Sequence, residues 1–337
     1  LMKYNLDFRY RMEDVGSNLD YNLVPASDQT SVDLALLAKY LWFDVYEKMA
    51  GDPEFLKKYG PRIIHVIGSP AFNPTFGTMV LGTAEGGIKI TLYRVNYLNP
   101  TDVDQLNNYY FKTMHHEFGH ILHQQKLYPN EFRLISSDYD PSAWQDKNFA
   151  QVLSMGHMTP YSTNMIADDW VELIANYLVR SDEWLDRAMW IAERDWHEED
   201  ASGSKKKSSA YYYYATDADQ RNDGVDGKDT KTYFVTIDGS KGDSEEFNLE
   251  GLNDLVENAD GTFTYKPKGR PAYPVATDGS IDGVKGREIL EHKIELVRTW
   301  FKEKWDIDFD ALRAEIQDRQ KNIDIEALRQ QYVESQQ

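Results

Sequence analysis

His116-Glu117-Phe118-Gly119-His120 places two imidazoles four residues apart with a carboxylate beside the first. At about 3.6 residues per helical turn, positions 116 and 120 lie one above the other, so both rings reach one metal ion. Glu117 is rotated by about 100° from the first histidine, where its carboxylate can approach a water on the metal without binding the metal itself. Ligand, base, ligand is what a catalytic zinc site requires of a helix.

A five-residue pattern gains weight from its flanks. Thr101-Asp102-Val103-Asp104 reads as a capping box that starts a helix. Phe111, Met114, Phe118, Ile121 and Leu122 then recur at three- and four-residue steps. The pattern predicts a helix that buries this stripe and turns His116 and His120 toward a cleft.

Composition narrows the chemistry. The chain has 337 residues, 41% of them hydrophobic, enough for one large core or two ordinary ones. Its 56 acidic against 37 basic residues leave a formal charge of −19, which argues against nucleic acid or an anionic membrane surface as partner. With no cysteine, disulfides, thiolate ligands and a cysteine nucleophile are excluded, so any metal is held by nitrogen and oxygen. No apolar run approaches the roughly 20 residues of a membrane-spanning helix. The numbering begins at Leu1 without a basic or apolar leader, so it is expected to start after a processed or removed segment. The 22 tyrosines and eight tryptophans read as core and partly buried surface in preference to carbohydrate platforms.

Along the chain, residues up to about 60 predict a helical pair, with an apolar stripe from Val32 to Val45 after Ser31 and a break at Asp52-Pro53. Residues 62–68 predict a buried strand. Residues 78–82 and 87–98 predict a hairpin around Glu85-Gly86-Gly87, its second arm alternating Ile88, Ile90 and Leu92 with Lys89, Thr91 and Tyr93, one face buried and one wet. Such a strand beside a metallopeptidase helix offers an edge onto which an extended peptide pairs. A loop-rich span, residues 128–163, leads to a helix over 168–179 with Val171, Ile174, Ala175 and Leu178 on its core side and Asp168, Glu172 and Asn176 on another. Residues 182–197 predict a further helix.

Residues 201–286 are rich in turns, with a Ser/Lys run and repeated Asp-Gly pairs, and carry strand candidates at 232–237 and 262–265. The aspartates between 217 and 224 do not follow the EF-hand ligand pattern and read as solvated turns. Two charged amphipathic helices, about 287–304 and 309–333, close the chain. The implied domains are a core over 1–200, a turn-rich insertion or small β subdomain over 201–286, and C-terminal helices over 287–337 that pack on the core.

Catalytic zinc usually takes three protein ligands and keeps a fourth position open. The candidates for the third are His123, His157, Asp168 and Glu172. A third contact from His123 on the same helix would strain tetrahedral geometry, so an acid from a separate element is preferred; spacing alone does not choose between Asp168 and Glu172.

Taken together, His116-Glu117-Phe118-Gly119-His120, Pro160-Tyr161 and Asp168-Asp169-Trp170-Val171-Glu172 resemble the zinc metallopeptidases of Bacteroides-type bacteria. These are described as substrate import-associated zinc metallohydrolase lipoproteins and are encoded with SusC/SusD-like outer-membrane import systems. The tyrosine followed by an acidic helix is also similar to the catalytic domain of anthrax lethal factor. The resemblance covers much of residues 1–200 and the general character of the C-terminal helices, while its motifs span about 60 residues.

In those relatives the helix reads Glu-x-Phe-Ala-Glu, and its first acid, seven residues after the tyrosine, is the third zinc ligand. Carried over, that role falls on Asp168, and Glu172 becomes an outer partner, to a ligand histidine's other ring nitrogen, or the alternative ligand. An aspartate here stands where the family has glutamate and is one methylene shorter. The resemblance further gives Tyr161 the task of donating to the oxyanion formed when water attacks a carbonyl.

The implied fold is α+β, a zincin-like metallopeptidase domain with a small mixed sheet and an HExxH helix, plus the turn-rich β insertion and C-terminal helices. The implied function is a Zn2+-dependent hydrolase, most plainly a peptidase acting on peptide or protein substrates. His116, His120 and Asp168 hold the metal and Glu117 and Tyr161 act on the substrate. The alternative is a cell-envelope module that binds glycan or peptide on an inactive metallopeptidase scaffold. The resemblance also implies an outer-membrane lipoprotein of the cell envelope, associated with SusC/SusD-like components and anchored by a lipid whose cysteine is not in this chain.

Overall fold

Ser27 starts the first helix, its hydroxyl accepting from the Thr30 amide at 3.2 Å. The computed structural model describes residues 2–11, 23–72, 79–80, 82–85, 89–147, 149–192, 210–214, 232–236, 255–257, 263–265 and 285–335. In chain order the helices are α1 (Asp28–Ala38), α2 (Asp44–Ala50), α3 (Phe55–Tyr59), α4 (Val103–Leu106), α5 (Lys112–Gln125), α6 (Phe132–Ile135), α7 (Phe149–Ser154), α8 (Ile166–Val179), α9 (Asp182–Ala192), α10 (Gly286–Trp305), α11 (Phe309–Lys321) and α12 (Ile325–Glu334). The strands are β1 (Asp7–Arg9), β2 (Ile63–Val66), β3 (Ala71–Phe72), β4 (Met79–Val80), β5 (Gly82–Glu85), β6 (Lys89–Leu92), β7 (Ala210–Tyr214), β8 (Thr232–Thr236), β9 (Leu255–Glu257) and β10 (Phe263–Tyr265). No helix among the described residues is long and apolar enough to cross a membrane.

Two compact units share this chain. The first comprises Leu1–Pro129, Ile174–Val179 and Leu296–Gln337, and the second Asn130–Leu173 and Arg180–Glu295. In the first, α1 and α2 are joined without a break by a π-helical turn, Lys39–Phe43, so the expected helical pair is one rod followed by the short α3. The rod begins a turn before Ser31, which is itself buried. It stops at Gly51, whose φ of 61° is the left-handed conformation that ends helices and suits glycine.

The sheet of this unit has the order β1-β2-β6-β5, with β1, β2 and β6 parallel and β5 antiparallel to β6. The hairpin expected around residues 85–87 forms, but its first arm is Gly82–Glu85; Met79–Val80 pairs instead with Ala71–Phe72. The expectation of one wet face on β6 is corrected as well, because Ile90, Thr91 and Leu92 are all buried. β6 is an interior strand of a mixed sheet, and a strand covered on both faces loses its alternation.

Asp102 caps the motif helix by accepting from the Gln105 amide at 2.9 Å, while the Thr101 hydroxyl turns back to donate to Asn99. The cap is therefore one residue later than the sequence placed it. From there α4, a π-helical turn (Asn107–Phe111) and α5 form one continuous rod. Its stripe is buried as the periodicity predicted: Phe118 meets Trp42 and Tyr46 edge-on at 4.8 and 4.9 Å between ring centroids. Gly82 lets β5 lie against α5, since a Cβ there would stand 2.4 Å from Thr113 Cγ2 and 2.8 Å from the Thr91 carbonyl. Asn107 fixes the same rod by donating to the Val179 carbonyl and by exchanging amide hydrogen bonds with Gln320 of α11. Trp300 of α10 donates to the carbonyls of Lys126 and Leu127 just beyond the rod's end.

The C-terminal part holds three helices where two were expected. Asp308 caps α11 and Asp324 caps α12, each accepting from an amide three residues on, and the second cap divides the 309–333 stretch. Arg329 of α12 forks onto Asp33 of α1 at 2.7 and 2.8 Å.

In the second unit the expected loop-rich span carries α6, α7 and two single turns, Trp144–Asp146 and Pro160–Thr163. The strand candidates near 232–237 and 262–265 are β8 and β10, paired antiparallel with β7 and β9. The Ser/Lys run, the aspartates at 217–224 and residues 193–197 of the expected helix lie outside the described residues.

Candidate metal centre

The histidines of α5 are divided between the core and another face of the helix. His115 points into the core, where Nδ1 meets the Tyr46 hydroxyl at 2.9 Å. Burial alone lowers its pKa to about 3, so it is neutral at ordinary pH. The same burial pushes the Tyr46 phenol up. His116 and His120 leave on another face with ring centroids 4.9 Å apart and nearly perpendicular. Glu117, between them in sequence, is buried.

Asp168 stands in the first turn of α8, a helix whose residues Ile174–Val179 belong to the first unit together with α5. Among the described residues, His116, His120 and Asp168 form a group whose donor atoms lie within 4.8 Å of one another. Two imidazole nitrogens and one carboxylate oxygen are a donor set suited to zinc in a catalytic site, with a coordination position left over. The aspartate does not act alone: Asn164, four residues earlier, donates from Nδ2 to Asp168 Oδ2 at 2.5 Å.

The other residues considered as third ligand are placed differently. His123 hydrogen-bonds His120, Nε2 to Nδ1, at 2.9 Å. Glu172 is buried one turn along α8, and its Oε2 accepts from the Thr159 hydroxyl at 2.6 Å. His157 is wholly buried between Asp138 at 3.0 Å and Asp169 at 3.2 Å.

Tyr161 sits on the single turn Pro160–Thr163. Thr159 caps that turn reciprocally with Ser162, the capping-box exchange. Trp144 packs edge-on against the Tyr161 ring with centroids 4.8 Å apart. The Thr159 hydroxyl thus accepts from the turn it caps and donates to Glu172.

The same unit holds a buried charge network that the sequence did not reveal. Lys293 of α10 is 0% exposed and Asp169 1%. They pair at 2.7 Å, and Lys293 also donates to the Gly156 carbonyl at 2.8 Å. Gly156 has a φ of 85°, and a Cβ on it would stand 2.3 Å from Ile289, so the turn that presents this carbonyl needs glycine. Tyr139 donates to the same aspartate at 2.9 Å. Burial would raise the Asp169 pKa, but Lys293 and His157 outweigh it and hold the carboxyl below its usual range. For His157 burial acts downward, and the hydrogen bonds to Asp138 and Asp169 prevail and raise it.

Of the residues missed, Asn164 carried a usable signal, since it lies within four residues of a candidate ligand. Lys293 carried none, being 124 residues from its partner.

A family model described as "Putative zinc-binding metallo-peptidase" matches residues 1–222. The crystal structure of a protein with the same description from Bacteroides caccae ATCC 43185 is similar at 28% sequence identity and a TM-score of 0.60, covering 96% of this chain and 90% of that one. No curated protein matches the chain.

Proposed function

The chain belongs to this metallopeptidase family, and from that premise we propose that it is a zinc-dependent peptidase whose centre is His116, His120 and Asp168. The observation that carries the reading is the convergence of these three donors. When bound, zinc supplies Lewis acidity that polarises a carbonyl and acidifies water toward neutral pH. Glu117, adjacent to the first ligand on α5, takes the proton from the attacking water and delivers it to the leaving nitrogen. Tyr161 donates its phenolic hydrogen to the carbonyl oxygen as that oxygen gains charge. The turn that carries it is capped by Thr159 and flanked by Trp144, which limits the phenol's freedom. An extended substrate pairs along β5, the strand at the end of the sheet and against α5.

A place on the outer membrane beside SusC/SusD-like importers accompanies this reading on the resemblance alone. Fractionating cells that express the full gene product tests it, and recovery in the cytoplasmic fraction would dismiss it.

The deciding experiment is zinc analysis after purification without chelator, followed by cleavage-site profiling of a peptide library with the wild type and Glu117→Gln side by side. Zinc near one equivalent, with cleavage products present for the wild type and absent for the variant, is the expected result. A protein that neither carries zinc nor regains it on addition is no zinc peptidase.

A further inference from the structure

We infer that His123 is a positioning residue for the metal centre: its neutral imidazole accepts a hydrogen bond from His120 Nδ1–H and so aims His120 Nε2 at the metal. The inference rests on the proposed role of His120 as a ligand. The two rings are 2.9 Å apart, Nδ1 to Nε2, with centroids 5.2 Å apart and planes inclined by 65°. One helical turn separates them, so the contact is built into α5 and does not depend on a distant element. His123 is itself held, being buried and packed edge-on against Tyr128 at 5.3 Å between centroids.

The chemistry assigns the protons. An imidazole that ligates through Nε2 carries its hydrogen on Nδ1, and the atom facing that hydrogen must accept it. His123 Nε2 is therefore unprotonated, and the His123 hydrogen resides on its own Nδ1. Two consequences follow. With its Nε2 engaged by His120, His123 is kept from becoming a further ligand, which preserves the open position a hydrolase needs. A neutral acceptor also replaces the carboxylate that often backs a metal-bound histidine. The zinc set of two imidazoles and one carboxylate then keeps its net positive charge, and with it more of its pull on a carbonyl oxygen.

The test compares zinc affinity, by competition with a chromogenic chelator, for the wild type, His120→Ala, His123→Phe and His123→Gln. His123→Phe retains a ring against Tyr128 but removes the acceptor, and His123→Gln retains an acceptor oxygen. Expected are a loss of about 10- to 100-fold in His123→Phe and recovery to within about threefold of wild type in His123→Gln. Cobalt-substituted His123→Phe should show a shifted visible d–d spectrum, a signature that lost packing alone would not give. Wild-type affinity and an unchanged cobalt spectrum in His123→Phe would overturn the inference, as would a glutamine variant as weak as the phenylalanine one. A wild type that binds no zinc, or a His120→Ala that binds as well as wild type, would instead remove the reading of His120 as ligand.

Discussion

The Thr159 hydroxyl donates to the Glu172 carboxylate across 2.6 Å and ties the turn that bears Tyr161 to the helix that bears Asp168. Glu172 on this view serves the tyrosine's placement, not the metal. Thr159→Val should cost about 1.5–3 kcal/mol of stability, the usual worth of a hydrogen bond to a charged group. It should lower kcat more than it raises KM and leave zinc content at wild-type level. Denaturant titration and metal analysis of Thr159→Val, Glu172→Gln and Asp168→Ala check this together. Loss of zinc in Glu172→Gln with retention in Asp168→Ala would exchange the two acids' roles.

Asn164 donates to one oxygen of Asp168 and so restrains its carboxylate. Asn164→Ala should weaken zinc by about 10-fold or more, as removal of an outer partner to a ligand commonly does. Asn164→Asp should be worse, because it sets a second carboxylate against the first. Chelator competition measures both, and equal affinity in all three proteins would show that Asp168 needs no such support.

Glu117 and Tyr161 are expected to separate chemistry from metal binding. Glu117→Gln should reduce kcat by about 10²- to 10⁴-fold and Tyr161→Phe by about 10²-fold. Both variants should hold zinc as the wild type does. Single-turnover cleavage of a peptide found in the library profile is the appropriate measurement.

Lys293 and Asp169 form a fully buried ion pair, so removing one partner leaves a charge uncompensated. Lys293→Met should destabilise the protein by about 3–5 kcal/mol, whereas Lys293→Met with Asp169→Leu should recover part of the loss. Thermal or urea unfolding of the single and double variants tests the coupling. Additive losses would mean that the pair stabilises nothing jointly.

The His157 pair with Asp138 makes stability depend on pH. His157 is raised by its aspartates against the pull of burial, so its contribution is whole below the unfolded value of about 6.5 and is lost as pH rises through the folded value. Burial acts upward on Asp138, but the bond to His157 prevails and lowers it. Its contribution is whole above about 3.9 and is lost as pH falls through the folded value. Both are intact between roughly pH 4 and 6.5. His157→Gln should therefore flatten the decline in unfolding midpoint above about pH 6.5. An unchanged decline in that variant would place the titrating group elsewhere.

What the sequence determined by itself was local. The shared face of His116 and His120 and the buried stripe around Phe118 follow from helical periodicity, which one segment expresses without knowledge of its neighbours. The second helix was legible for the same reason, with Val171, Ile174, Ala175 and Leu178 buried as spaced. Even the start of the motif helix was found to within one residue, because capping chemistry is written in adjacent side chains.

What only the tertiary structure decided was pairing between segments. Asp168 and Glu172 differ by a single helical turn, about 5.4 Å along the axis, and which of them stands near the histidines depends on how α8 is placed. Spacing along one helix does not choose between them. β6 looked half-wet because alternation in sequence says nothing about a covered second face. Lys293 looked like one more charge on an amphipathic helix, because a buried ion pair between residues 124 positions apart leaves no local trace. Periodicity names the face a side chain shares, and only the folded chain says what that face meets.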